Sequence, residues 1–155
     1  MVLIGSFLLL LGCSSPSGMP YKVTFTSEGL GAIKATTLFD TAKIAALLPG
    51  FEAKLFSRFE AGRTYSLIRL QRGGKVLCDC YPDASGKYIG RIESVLEEVQ
   101  TARGAHVGAQ LQKATCKEQL NTGEMLCALE PHLYAEIDET QHIVRLVWYA
   151  TTINF

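Results

Sequence analysis

Period-two alternation of apolar and polar side chains, interrupted at short intervals by turn residues, recurs along this chain and restricts it to a fold built on β-sheet. Tyr21 to Thr26 (YKVTFT) places Val23 and Phe25 on one face and Thr24 and Thr26 on the other, and Ser27 to Gly31 turns the chain. Phe51 to Phe59 and Thr64 to Gln71 alternate likewise. Arg72-Gly73-Gly74-Lys75 is a hairpin turn leading into Val76 to Tyr81, because paired glycines suit the left-handed backbone of a tight β-turn. A fifth strand follows Ser85-Gly86 and runs through Tyr88, Ile89, Ile92 and Val95. Glu124 to Leu129, Leu133 to Ile137 and His142 to Thr151 complete the set, with Asp138-Glu139-Thr140-Gln141 as the last turn. Trp148 and Tyr149 are expected in the core, since Ile143 to Tyr149 is strongly apolar.

Helical signals are fewer. Asp40 precedes the alanine-rich stretch Thr41 to Leu48, which Pro49-Gly50 ends; this predicts a short helix with Asp40 near its N-cap and Ile44, Leu47 and Leu48 on one face. Gly31 to Phe39 leads into that helix, and Gly104 to Leu111 leads into a second, predicted from Ala109 to Ala114. The expected fold class is therefore α+β: antiparallel sheet with two short helices on one face, arranged as a duplicated α-β-β unit.

The N-terminus points to a location. Met1 to Gly12 is apolar, too short for the roughly 20 residues of a spanning helix, and suited to the h-region of a secretory signal. No Lys or Arg precedes Val2 to Leu11, although an n-region normally supplies one. Leu10-Leu11-Gly12-Cys13 resembles the lipobox at which bacterial prolipoproteins are cut and acylated, which makes Cys13 the lipidated first residue of the mature chain. Ser14 to Pro20 is small and turn-rich, a tether. The organisation read is a signal peptide over 1–12, a lipidated tether over 13–20 and a single domain over 21–155. Removing the leader from 155 residues leaves 143, enough for one core. The 15 basic and 15 acidic residues cancel, so no nucleic-acid footprint is present and no nucleic-acid partner is expected.

Several stretches resemble a family of bacterial lipoproteins of unknown function that includes the sigma-E-regulated lipoprotein of enteric bacteria. They are Ser27 to Gly31 with Ala35-Thr36-Thr37; Ile44 with Leu47 and Leu48; Gly86 to Ile92; Gly104 to Gly108; the pair Cys116 and Cys127; and Ile143 to Trp148. The resemblance implies an envelope location and a shared fold, and it assigns no catalytic residue. Cys78, Cys80 and the short hairpin near Asp138 depart from it.

Beyond Cys13, four cysteines remain. A tight turn at Asn121-Thr122 sets Cys116 opposite Cys127, and facing residues in an antiparallel ladder fall within disulfide range. Cys78 and Cys80 lie two apart on a predicted strand, separated by about 6.6 Å of rise, so they are expected to be either a strained pair or reduced thiols. All three connectivities of the four cysteines are open from the spacing alone, and the resemblance favours Cys116 with Cys127.

No Gly-x-Ser-x-Gly elbow and no phosphate-binding glycine loop with its lysine appear. His106, His132 and His142 adjoin three different turns. The expectation is a non-enzymatic envelope lipoprotein, without cofactor or metal, acting as a binding or structural module. It is held at the membrane by its lipid, and Ser14 in place of a retaining aspartate points to the periplasmic leaflet of the outer membrane. Its envelope partner is not specified by the sequence. The alternatives are redox or metal handling at Cys78 and Cys80, or a lysozyme-inhibitor-like binder. Ser85-Gly86-Lys87-Tyr88 is similar to the protruding Ser-Gly loop of periplasmic lysozyme inhibitors but one residue short, and a hairpin turn accounts for the same residues.

Overall fold

A computed structural model of the chain describes residues 22–60, 62–111, 116–118 and 125–151. The leader over 1–12, the tether with Cys13, the turn at Asn121-Thr122 and the last three residues of the second predicted helix lie outside the described residues. In chain order the elements are β1 (Thr24–Thr26), β2 (Gly29–Leu30), β3 (Ile33–Lys34), α1 (Thr41–Leu47), β4 (Glu52–Glu60), β5 (Arg63–Arg72) and β6 (Lys75–Pro82). They continue with β7 (Ile89–Ser94), β8 (Gln100–Thr101), β9 (Cys116–Glu118), β10 (Met125–Glu130), β11 (Leu133–Ile137) and β12 (Ile143–Tyr149).

Among the described residues, eight strands form one sheet in the order β4-β5-β6-β7-β12-β11-β10-β9. It consists of two antiparallel meanders, β4 to β7 and β9 to β12, joined where β7 and β12 pair antiparallel. The β5–β6 connection is the predicted turn: Arg72 faces Lys75, and Gly73 and Gly74 have φ of 55° and 79°, the left-handed values that a two-residue hairpin loop requires. A small second sheet, β3-β2-β1-β8, includes a parallel pairing of β1 with β8, Thr24 facing Gln100 and Phe25 facing Thr101.

Strand alternation sorts the large sheet into two faces. The row Ile68, Cys80, Ile92, Trp148, Leu133 runs across five strands and is buried. Against it pack Phe25, Leu30 and Ile33 of the small sheet and Ile44 of α1. Each of these side chains, once fully buried, contributes roughly 1.5–3 kcal/mol. Trp148 also donates its indole N–H to the Ser27 carbonyl at 3.0 Å, tying the two sheets together.

The fold is mostly β, which corrects the α+β expectation. Among the described residues there is one helix, capped as predicted by the Asp40 carboxylate, which accepts from the Lys43 N–H at 2.9 Å. The second helix does not form over Ala109 to Leu111. That segment is extended: Ile143 donates to the Ala109 carbonyl and Leu111 donates to the Gln141 carbonyl, each at 2.9 Å. Pairing with the start of β12 uses the backbone groups a helix would need, so tertiary pairing overrides a weak local preference. The expected α-β-β repeat fails with it. What the halves share is a strand tie, since Ile89 donates to Thr37 and Phe39 donates to Lys87 in the same pattern at the start of β7.

Candidate functional site

The second face of the large sheet carries charge. Lys54, Arg69, Asp79, Glu93, Val147 and Tyr134 form the neighbouring cross-strand row, and the next row holds Tyr81, Arg91 and Tyr149. Arg145 faces Glu136 one row to the other side. Apart from Val147 these are polar or aromatic side chains, and in β5, β6, β7, β11 and β12 the alternate positions build the core.

Each acid here is held by guanidinium groups. Arg69 grips Asp79 through two bonds of 2.8 Å, Nε to Oδ1 and Nη2 to Oδ2, a bidentate geometry that Lys could not reproduce. Arg58 approaches the same carboxylate at 3.4 Å and donates to the Tyr81 hydroxyl at 2.6 Å. Glu93 lies among three arginines: Arg91 at 3.2 Å, Arg58 at 3.5 Å and Arg145 at 3.7 Å. Arg145 bridges on to Glu136 at 3.3 Å. The Arg91 guanidinium stacks on the Tyr81 ring at 4.0 Å, and Tyr149 meets Tyr134 edge-on at 5.7 Å. Asp79, Glu93 and Glu136 are buried, each under one-tenth exposed. Burying a carboxylate is tolerable when charge pairing and hydrogen bonds replace water, as they do for Asp79 and Glu93; Glu136 is paired with the Arg145 charge.

Titration follows from these contacts. Burial, then the Glu93 charge, pushes the Tyr81 phenol up to about 12 despite Arg58 and Arg91 nearby. Burial works against the Arg91 charge, but Glu93, Tyr149 and Tyr81 outweigh it and raise its pKa. The hydrogen bond to Asp79 raises that of Arg69.

An open groove of 810 Å³ lies over this face. Its floor includes Tyr81, Arg91, Glu93, Glu136, Arg145 and Tyr149; Tyr65 and Thr64 form one wall and Asp83 and Ala84 another. The groove combines aromatic rings with charged side chains, the acids Glu60, Asp83, Glu93 and Glu136 beside Arg91 and Arg145, suited to holding a polar surface by hydrogen bonds and stacking.

The residues singled out from sequence lie elsewhere. Cys116 and Cys127 face each other on β9 and β10 and are joined by a disulfide. Cys78 and Cys80 point into the core, unbonded, with Sγ atoms 3.9 Å apart. Their mutual hydrogen bond and then burial push the Cys78 thiol well above its ordinary value, against the thiolate that metal binding or exchange needs. The histidines are scattered: His106 bonds the Val107 carbonyl, His132 the Tyr149 carbonyl and His142 the Thr140 hydroxyl. Among the described residues, no three metal-ligating side chains of His, Cys, Asp or Glu converge.

The Ser85 loop is a closed turn. Ser85 donates its hydroxyl to Asp83 Oδ1 at 2.7 Å, and the same oxygen accepts from the Lys87 and Tyr88 N–H groups. Trp148 is in the core as expected, whereas Tyr149, one residue on, lies on the opposite face and lines the groove.

The charged face was missed from sequence. Its signal was present in Arg69, Asp79, Arg91-x-Glu93, Glu136 and Arg145, all at alternate positions in otherwise apolar strands. Only strand order and register show that they meet. No described helix is long and apolar enough to cross a membrane.

No known protein-family model matches the chain, and no curated protein sequence matches it. Among solved structures, the chain is similar to the uncharacterized protein YfeY from Escherichia coli, with a TM-score of 0.66 over 81% of this chain and 99% of that one, at 17% identity. At that identity the likeness shows a common fold.

Proposed function

We propose that this chain is a non-enzymatic lipoprotein of the bacterial cell envelope, anchored through acylated Cys13 and presenting the arginine–carboxylate face of its large sheet to an envelope partner. On this reading it belongs with the uncharacterised lipoproteins that its sequence resembles, and the periplasmic leaflet of the outer membrane is its site. The lipobox-like Leu10 to Cys13 supports the anchor. The Cys116–Cys127 disulfide suits an oxidising compartment.

The observation that carries binding over catalysis is the mutual engagement of the charges under the groove. Asp79 is held by Arg69 and Arg58, Glu93 by Arg91 with Arg58 and Arg145, and Glu136 by Arg145. Side chains fixed on one another form a rigid, pre-organised surface, which favours recognition because little side-chain freedom is lost on contact.

A photo-crosslinking amino acid in place of Tyr65, on the groove wall, tests this in intact cells. A variant at Val95, which is exposed and outside the groove lining, is the control. The expected result is a defined adduct from position 65, lost when Arg145→Glu alters the groove floor, and absent from position 95. Equal capture from both positions, or none from the groove, contradicts the reading.

A further inference from the structure

Among the described residues, strand β4 ends the large sheet. β5 pairs along one of its edges from Glu52 facing Gln71 to Glu60 facing Arg63 without a register break, and no described strand pairs with the other edge. Ala53, near the start, packs against the core, but beyond it Leu55, Phe56 and Phe59 are 64%, 40% and 75% exposed. A long, unbroken edge with exposed apolar side chains is a template for another strand unless a bulge, proline or repulsive charge blocks it. Among the described residues of β4 there is neither bulge nor proline.

The charges on β4 select a register. For two copies related by a two-fold axis normal to the sheet, antiparallel pairing keeps each side chain on its own face only if the axis passes through a residue position. Centred on Phe56, the pairing sets Lys54 against Arg58 and Glu52 against Glu60, two kinds of like-charge clash that symmetry makes twice each. Centred on Arg58, that guanidinium faces itself. Centred on Leu55, Glu52 meets Arg58, an opposite-charge pair, but Phe59 falls opposite Phe51, which lies before the strand and is buried, so burial and not charge rules this register out. Centred on Ser57, Lys54 meets Glu60, Leu55 meets Phe59 and Phe56 meets Arg58, and symmetry makes each pair twice. Lys54 already bonds Glu52 at 2.8 Å, so in this register its ammonium lies between two carboxylates.

We propose that β4 is a homodimer contact: two copies of this chain pair edge to edge about Ser57 and continue the large sheet across both. The inference is independent of the lipid anchor and of the groove partner.

Sedimentation equilibrium of the full chain in density-matched detergent, with variants K54E, E60K and K54E/E60K, tests it. Thermal melts confirm that each variant is folded. The unsubstituted chain is expected to dimerise. Each single charge reversal, which creates two facing like-charge pairs, weakens the dimer on the order of tenfold. The double reversal restores it to within about threefold of the original. Three results overturn the proposal: a monomer throughout, a dimer indifferent to the single reversals, or a double variant as weak as the singles. A monomer that instead sediments with anionic lipid vesicles, and loses this on Phe59→Ser, would identify β4 as a membrane contact and likewise overturn it.

Discussion

Arg69 and Asp79 stand directly opposite each other on β5 and β6 and are joined by two parallel hydrogen bonds of 2.8 Å. The Asp79 side chain is 8% exposed and that of Arg69 29%, so the pair sits at the boundary between protein and water, where its partners decide whether it stabilises. Removing one member leaves the other partly desolvated and uncompensated. Asp79→Ala is expected to destabilise by about 3 kcal/mol in urea unfolding, whereas the double change Arg69→Leu with Asp79→Leu loses under about 1 kcal/mol. A double change that loses as much as the two single changes added together would show that the two residues act independently.

Tyr81 links the charged face to alkaline stability. Its folded pKa of about 12 lies above the ordinary value of 10, so between these pH values the unfolded chain loses a proton that the folded chain keeps. Stability is fully present below pH 10 and falls as pH rises toward 12, by an amount on the order of 2 kcal/mol. Tyr81→Phe removes the Arg58 hydrogen bond and flattens this slope. The measurement is urea unfolding at several alkaline pH values, beside the phenolate absorbance of each protein.

The thiols should divide sharply. Cys78 and Cys80 are buried and unbonded, so they react with a thiol reagent only once the chain unfolds. Fast modification of either in the native state contradicts their placement. Replacing Cys116 and Cys127 by alanine opens the covalent loop between β9 and β10 and is expected to destabilise by about 2–3 kcal/mol.

Two turns of similar design give opposite substitutions. Asp83 Oδ1 accepts from Ser85, Lys87 and Tyr88, and Asp138 Oδ1 accepts from Thr140 and His142. Gly86 and Gln141 stand at matching positions with φ of 73° and 65°. Glycine accepts that conformation and glutamine strains to adopt it. Gln141→Gly is expected to stabilise by about 0.5–1 kcal/mol and Gly86→Ala to destabilise by about 1 kcal/mol in thermal unfolding. The same sign for both would refute the comparison.

Much of the sheet was legible because strand alternation is a local signal. The Arg72 to Lys75 turn, the Asp40 cap and the strands around Phe51 to Tyr81 follow from residues within a few positions of one another. The helix expected from Ala109 failed for the opposite reason: its backbone bonds go to Gln141 and Ile143, more than two dozen residues away. The charged face was invisible on similar grounds. Arg69, Asp79, Glu93 and Arg145 look like ordinary solvated charges until the order β5-β6-β7-β12 sets them side by side. Cys78 and Cys80 drew notice because their chemistry is conspicuous in a list of letters, yet they occupy the core-facing side of β6.

Anchoring at Cys13 is the claim on which the proposed role depends, and intact mass analysis of the chain purified from bacterial membranes tests it most directly. The expected mature protein starts at Cys13, carries diacylglycerol and acyl groups, and retains the Cys116–Cys127 bond. A chain that still begins at Met1 with an unmodified Cys13 would contradict it.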